Sequence, residues 1–325
     1  SGELVAFCAR HVTGIPYIVD RANAFEDYLR EMGKPYAFWR TVSAIERLIL
    51  RRASAVVCRG IGQTLAFRAR YYNRNIAHLS EGTDLRRWMP KDGSTLRRRY
   101  GLDDSLVIGT MGTAQWSEVS GHYYGRETVE VLRLLPDKPV VGVILPSFTS
   151  DMSALQRLQD LADQYGVSHR LRIIRDVTRE SVPDYLAVMD VCISTQLRSL
   201  SGDMRTTAKL PEYLACGKFV LSTAIGDARF YLPQEMLIDH THDYYQQLAL
   251  RIAAICDNRS ILKMGAQGVV TARRYFDYEA IASRASALII EALSANVRSR
   301  MSEVSDRVAG RGDHEEITQP PGSRR

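Results

Sequence analysis

Two side chains able to bind a charged ligand stand one turn apart in the segment TTAKLPEYLACGKFVLST. Lys209 precedes Glu212 in a short apolar stretch that ends at a glycine and leads into a predicted strand. Pro211 must lie in the first turn of this helix, and Thr206 or Thr207 is expected to cap its free amides. A lysine there offers a point charge to a diphosphate, and a carboxylate can accept two hydrogen bonds from a vicinal diol. The pair indicates a nucleotide site, with a solvated surface pair as the plainer alternative.

Predicted strands alternate with predicted helices along most of the chain, and this alternation predicts an α/β fold. Short apolar runs at 53–60, 105–112 and 139–146 are typical of buried strands. Helical patterns separate them, which favours parallel sheets covered on both faces. The charged stretch 85–104, which contains proline and glycine, is predicted to connect two domains. We therefore predict two Rossmann-like, doubly wound domains with a cleft between them.

The predicted ligand site lies in this cleft, at the carboxyl ends of the strands. We assign residues 1–100 to an N-terminal, acceptor-side domain and 101–274 to a C-terminal, nucleotide-binding domain. A closing helix over 275–296 is expected to cross back to the first domain. From residue 297 to residue 325 the composition becomes polar and charged, which predicts a disordered tail.

Composition excludes several classes of protein. The 325 residues are 45% hydrophobic and 25% charged, as in soluble globular chains, and no apolar run approaches the roughly 18 residues of a membrane span. Five scattered cysteines without CxxC spacing indicate neither a disulfide framework nor a zinc site, so we expect a cytoplasmic location. Seven histidines without HxxxH or HExxH spacing give no reason to predict a bound metal.

The basic charge of the chain is concentrated in its first third. The net charge is +6, the pI is about 9.1, and basic residues cluster at 47–52, 86–88 and 96–100. Such clusters favour phosphate-rich surfaces, so peripheral contact of the first domain with the inner face of an anionic membrane is one expectation and a solvated face is another. Interleaved aromatic residues are lacking, so no nucleic-acid partner is expected.

The segment around Lys209 and Glu212 resembles the P-x-K-L-x-E-Y-x-A-x-G-K-P-V segment of family-4 glycosyltransferases, which are retaining sugar transferases of GT-B fold. Other segments follow in that family's order, over residues 12–290. They are GIPYIVD, ERLILRRASAVVCRG, LSEGTDLRRWMP, VIGTMGTA and VPDYLAVMDVCIST. The resemblance implies a GT-B-like fold whose first domain is incomplete, since its opening strand and glycine-rich loop would precede Ser1.

The resemblance implies a hexosyltransferase-type enzyme that moves a sugar from a nucleotide diphosphate to a hydroxyl acceptor with retention. It also implies that no metal or other cofactor is needed. Glu212 matches the glutamate that binds the ribose, and Lys209 matches a lysine near the diphosphate. The other matches lie in loops after strands: Gly112 and Thr113 beside the phosphates, and Arg175, Asp176 and Val177 beside the base.

Two departures from the family's pattern leave the catalytic groups open. Where the family has a glutamate for the donor sugar, this chain has Met204 with Asp203 beside it. The loop 113–125 has no lysine or arginine for the diphosphate and offers His122 instead. We therefore expect the catalytic groups to be Lys209, His122 and Asp203.

Two other functions remain open at this point. Met204, together with the expected incompleteness of the first domain, favours a nucleotide-sugar-binding subunit without activity. A nucleotide-sugar epimerase of the same fold would need carboxylate acids and bases in the cleft. For a transferase, the expected acceptor is a glycan, a lipid-linked molecule or a small molecule with a free hydroxyl.

Overall fold

A computed structural model describes residues 2–22, 25–71, 73, 75–118 and 121–309, and all of their side chains except those of His122 and 296–309. The chain forms two main parallel β-sheets flanked by helices. The predicted α/β fold with two Rossmann-like domains is confirmed. No helix in the described part of the chain has both the length and the apolar character needed to cross a membrane.

The first domain is built on three parallel strands. The strands are β1 (Ile18–Arg21), β2 (Ala55–Cys58) and β3 (Ile76–His78), and the helices are α1 (Gly2–Thr13), α2 (Phe25–Glu31), α3 (Tyr36–Arg52) and α4 (Ile61–Arg70). The strand order is β1-β2-β3. The middle strand is apolar throughout and fully buried, as expected for a parallel strand. It shares a core with Leu50 of α3 and Phe67 of α4.

The second domain is built on a larger parallel sheet. Its strands are β4 (Leu106–Gly112), β7 (Val140–Pro146), β8 (Leu171–Ile173), β9 (Val191–Ser194), β10 (Phe219–Thr223) and β11 (Leu237–Ile238), and a small hairpin is formed by β5 (Trp116–Ser117) and β6 (His122–Tyr123). The strand order in the sheet is β11-β10-β9-β4-β7-β8. The sequence predicted β4 and β7 within one residue of these bounds.

Nine further α-helices follow β3 in the described chain. They are α5 (Ser94–Tyr100), α6 (Arg126–Leu134), α7 (Met152–Gln164), α8 (Val182–Ala187), α9 (Lys209–Ala215), α10 (Ala228–Tyr231), α11 (Tyr244–Asp257), α12 (Gly265–Tyr275) and α13 (Tyr278–Ala309). The helix α6 follows β4 and its hairpin, and α9 follows β9. These two helices therefore leave the sheet from its two central strands.

The two central strands of the second sheet separate toward their carboxyl ends. β4 pairs with β7 along its whole length but with β9 only at Ile108 and Gly109. Beyond that point the amide of Met111 donates to the hydroxyl of Tyr213 at 2.9 Å. The chain leaves β4 toward one side of the sheet and returns as β9 on the other, which makes this gap the topological switch point where doubly wound sheets bind ligands. We call the gap between the ends of β4 and β9 the switch-point crevice.

The end of the described chain returns to the first domain. The amide of Thr83 donates to the carbonyl of Phe276 at 2.7 Å, and α13 packs against β2. The helix α13 continues through 297–309, where the sequence predicted a disordered tail. No glycine or proline interrupts the chain there, so polar composition alone does not end the helix. Residues 310–325 lie outside the described chain.

The two domains also meet where Asp227 of the second domain reaches the first turn of α4. Its carboxylate accepts hydrogen bonds from the amides of Ile61 at 2.8 Å and Gly62 at 3.3 Å and from the hydroxyl of Thr206. Asp227 is fully buried. A side chain on Gly62 would place its Cβ 2.7 Å from the carbonyl oxygen of Asp203, so glycine permits this close approach. We call this contact the interdomain junction.

Candidate functional site

Lys209 is the first residue of α9 and lies half-buried beside the switch-point crevice. Its Nζ is 6.0 Å from the centre of the Tyr124 ring. Burial lowers the pKa of Lys209, and the nearby carboxylate of Glu127 opposes that change. Among the described residues, no hydrogen bond or ion pair engages its ammonium group. An unpaired, partly desolvated cation is suited to binding an anionic ligand.

The predicted caps of α9 are wrong. The residue before the helix is Ala208, and it provides no side-chain cap. The hydroxyl of Thr206 is instead used at the interdomain junction, and that of Thr207 lies 3.5 Å from the hydroxyl of Ser194. Pro211 lies in the first turn, as predicted.

Glu212 lies one turn after Lys209, so the two side chains share one side of α9. Its side chain is 12% exposed, and its Oε1 accepts a hydrogen bond from Arg179 Nη2 at 3.2 Å. Burial raises the pKa of Glu212 to about 7, Arg179 opposes the rise, and the Glu81 carboxylate of the first domain adds to it. Glu212 therefore lies near the first domain. No motif in the sequence indicated Arg179, which belongs to the loop between β8 and α8.

Gly112 and Thr113 form the turn at the end of β4. Gly112 has a φ of 136°, in a region that side chains disfavour. The hydroxyl of Thr113 lies 3.0 Å from that of Ser147 and 3.3 Å from that of Thr149. The turn thus presents the backbone of Gly112, which has no side chain, next to a group of hydroxyls. This arrangement permits the close approach of a polar ligand.

Arg175, Asp176 and Val177 follow β8 at the same edge of the sheet, two strands away from β4. Arg175 and Asp176 are exposed, and Val177 packs against the core of the second domain. Asp176 has a φ of 61°, the only positive value among the described non-glycine residues. Such a conformation costs free energy and is frequent at functional sites.

The other two predicted catalytic residues are placed differently. His122 belongs to the hairpin strand β6, where it pairs with Ser117, and its side chain lies outside the described part of the structure. Asp203 lies in the single helical turn Gly202–Met204, which packs on α4 at the interdomain junction. Met204 packs against the core of the first domain.

The structure also places two residues at the crevice that the sequence did not indicate. Glu127 lies in the first turn of α6, and its Oε1 accepts a hydrogen bond from the hydroxyl of Thr195, the residue after β9. An acidic residue in the first turn of a helix is common for structural reasons. Its sequence position therefore carried no functional signal.

Comparisons with known proteins give a fold and no family. No family model matches the chain, and no curated protein matches it. Solved structures do match. They include HepE of Anabaena in complex with UDP-glucose, with 18% identity, 90% of this chain and 76% of that chain covered and a TM-score of 0.70. Sucrose-phosphate synthase from Thermosynechococcus elongatus matches with 18% identity, coverage of 90% and 72% and a TM-score of 0.69.

A glycosyltransferase from Rickettsia africae has 14% identity, coverage of 88% and 73% and a TM-score of 0.68. At such identities the likeness concerns the fold alone. The chain therefore has the GT-B-like fold of these glycosyltransferase structures. Among the described residues, no group of three or more histidine, cysteine or acidic side chains could hold a metal ion.

Proposed function

We propose that this chain is a hexosyltransferase-type glycosyltransferase that moves a sugar from a nucleotide diphosphate to a hydroxyl acceptor, with retention as in family 4. The observation that carries the proposal is the pair Lys209 and Glu212 on one side of α9. One is a cation without a hydrogen-bond or ion-pair partner among the described residues, and the other is a largely buried carboxylate with a raised pKa. Both lie at the switch point, where doubly wound sheets bind nucleotides.

Each group has a role in this proposal. Lys209 binds the diphosphate and stabilises the charge that develops on it as the sugar leaves, which is usually a large contribution to catalysis. The backbone of Gly112 and Thr113 approaches the phosphates. Glu212 accepts hydrogen bonds from the ribose diol, held in position by Arg179.

The remaining predicted residues have roles at the ends of the ligand. The loop at Arg175, Asp176 and Val177 contacts the base. His122 and Asp203 are proposed as further catalytic groups for the transfer of the sugar. The neighbours of known structure support a uridine nucleotide as the first ligand to test, since HepE is described in complex with UDP and with UDP-glucose.

The partners and location follow from the same proposal. The acceptor is a glycan, a lipid-linked molecule or a small molecule with a free hydroxyl, and the reaction takes place in the cytoplasm without a metal ion. For a lipid-linked acceptor, exposed basic residues of α3 such as Arg47 and Arg51 would face the anionic inner surface of a membrane.

Calorimetric titration with UDP-glucose, UDP, GDP and ADP tests the site. We expect at least one of them to bind, and Glu212→Ala to weaken that binding by about 10- to 100-fold, because a charged hydrogen-bond partner is lost. The matched control is Glu235→Gln, at an exposed glutamate that precedes the edge strand β11. This variant should leave the affinity for the nucleotide unchanged. Failure of all four ligands to bind, or equal binding by Glu212→Ala, would reject the proposed site.

A further inference from the structure

Glu127 is held at the switch-point crevice by a residue from another strand. It belongs to α6, which follows β4, whereas its partner Thr195 follows β9. The hydrogen bond from Thr195 therefore draws the carboxylate across the gap between the two central strands. The neighbouring Arg126 does not neutralise it, because that guanidinium donates to Glu130 at 3.1 Å.

The carboxylate of Glu127 also has spare hydrogen-bonding capacity. The side chain is half-buried, and its Oε1 has the hydroxyl of Thr195 as a neutral partner. Its Oε2 has no hydrogen bond or ion pair with any described residue and is not among the buried unsatisfied atoms, so it keeps some accessible surface. An ionised carboxylate can accept about four hydrogen bonds.

The crevice therefore holds one cation and one anion that do not pair with each other. No ion pair joins Lys209 to Glu127, although the carboxylate is near enough to affect the pKa of the lysine. A ligand that satisfies both must carry negative charge at one end and hydrogen-bond donors at the other. A nucleoside diphosphate alone satisfies the lysine and is repelled by the glutamate. A sugar attached to the diphosphate provides the missing hydroxyl donors.

We propose that Glu127 is a donor-specificity residue whose carboxylate accepts hydrogen bonds from the sugar hydroxyls of the nucleotide sugar. This inference rests on the proposed function of the same crevice. It gives Glu127 two effects of opposite sign. It strengthens binding of the sugar-bearing nucleotide and weakens binding of the nucleoside diphosphate that remains after transfer.

The test compares each nucleotide sugar with its own nucleoside diphosphate in the full chain. Calorimetry would use UDP-glucose, UDP-galactose, UDP-N-acetylglucosamine and GDP-mannose, with UDP and GDP. For the sugar nucleotide that the unaltered protein binds most tightly, Glu127→Gln should weaken binding about 10-fold. Binding of the matching diphosphate should stay equal or become tighter. Thr195→Val, which removes the hydroxyl that positions the carboxylate, should act in the same direction, and Glu235→Gln should leave both affinities unchanged.

The outcomes separate this inference from the proposed function. If no nucleotide binds the unaltered protein, the proposed function itself fails. If nucleotides bind but neither Glu127→Gln nor Thr195→Val changes the ratio of the two affinities, the specificity role is wrong while the nucleotide site stands. A parallel loss of affinity for sugar nucleotide and diphosphate in both variants would also overturn it, because that result indicates a structural role.

Discussion

The carboxylate of Glu212 is costly to keep ionised where the fold places it. Burial raises its pKa to about 7, and Arg179 limits that rise. A buried carboxylate that stays ionised needs hydrogen-bond donors to offset its desolvation. A vicinal diol supplies two such donors, and a carboxylate is a stronger acceptor than an amide or a hydroxyl.

Binding of UDP-glucose should therefore depend on pH near neutrality. Only ionised Glu212 can accept both diol hydrogen bonds, so we expect affinity to rise between about pH 6 and about pH 8. In Arg179→Ala the pKa of Glu212 rises further, because the guanidinium that lowers it is gone, and the rise in affinity should move to higher pH. Calorimetry across this range would measure both midpoints.

The control for this titration is Arg157→Ala, which removes an exposed arginine of α7. It should leave the midpoint where it is in the unaltered protein. Glu212→Gln should bind weakly with a flat profile. A profile in Glu212→Gln that still rises through neutral pH would assign the titration to another group.

At the scale of elements, the helix α4 depends on a residue of the other domain. Asp227 accepts hydrogen bonds from two amides in the first turn of α4 and is fully buried. Asp227→Ala should lower the free energy of unfolding by about 1 to 3 kcal/mol, because two helix amides and a hydroxyl lose a buried acceptor. Differential scanning calorimetry should also show the two domains unfolding separately.

The comparison variant is Asp151→Ala. Asp151 caps α7 within the second domain by accepting from the amide of Ser153 at 2.8 Å. Its loss should lower the free energy of unfolding by about 1 kcal/mol, and the two domains should still unfold in one transition. If both variants unfold in one equally shifted transition, the cap on α4 does not couple the domains.

The same elements show what a sequence can and cannot predict. The bounds of β4 and β7 follow from local apolar runs, and the place of Lys209 and Pro211 in the first turn of α9 follows from local helix rules. The cap of α4 does not follow from local rules, because Asp227 lies 166 positions from Ile61. For the same reason the capping role predicted for Thr206 fails, since its hydroxyl serves that distant contact. Glu127 and Thr195 also meet only when β4 and β9 lie side by side.

At the scale of the whole molecule, the proposed nucleotide site lies close to the first domain. The first domain brings Glu81 toward Glu212, and Glu81 is itself held by Arg59 at 3.1 Å. The interdomain junction and the returning helix α13 also connect the two domains. In the proposed reaction, an acceptor would therefore approach the sugar from the side of the first domain that carries Glu81.

The central claim is that a nucleotide sugar occupies the switch-point crevice, and hydrogen–deuterium exchange with and without UDP-glucose tests it most directly. With the ligand at a concentration that calorimetry shows to be saturating, we expect slower exchange in 112–118 and 206–213, which contain Gly112, Thr113, Lys209 and Glu212. Exchange in α1 should not change. Protection confined to the first domain, or the same exchange in 112–118 and 206–213 with and without the ligand, would contradict the claim.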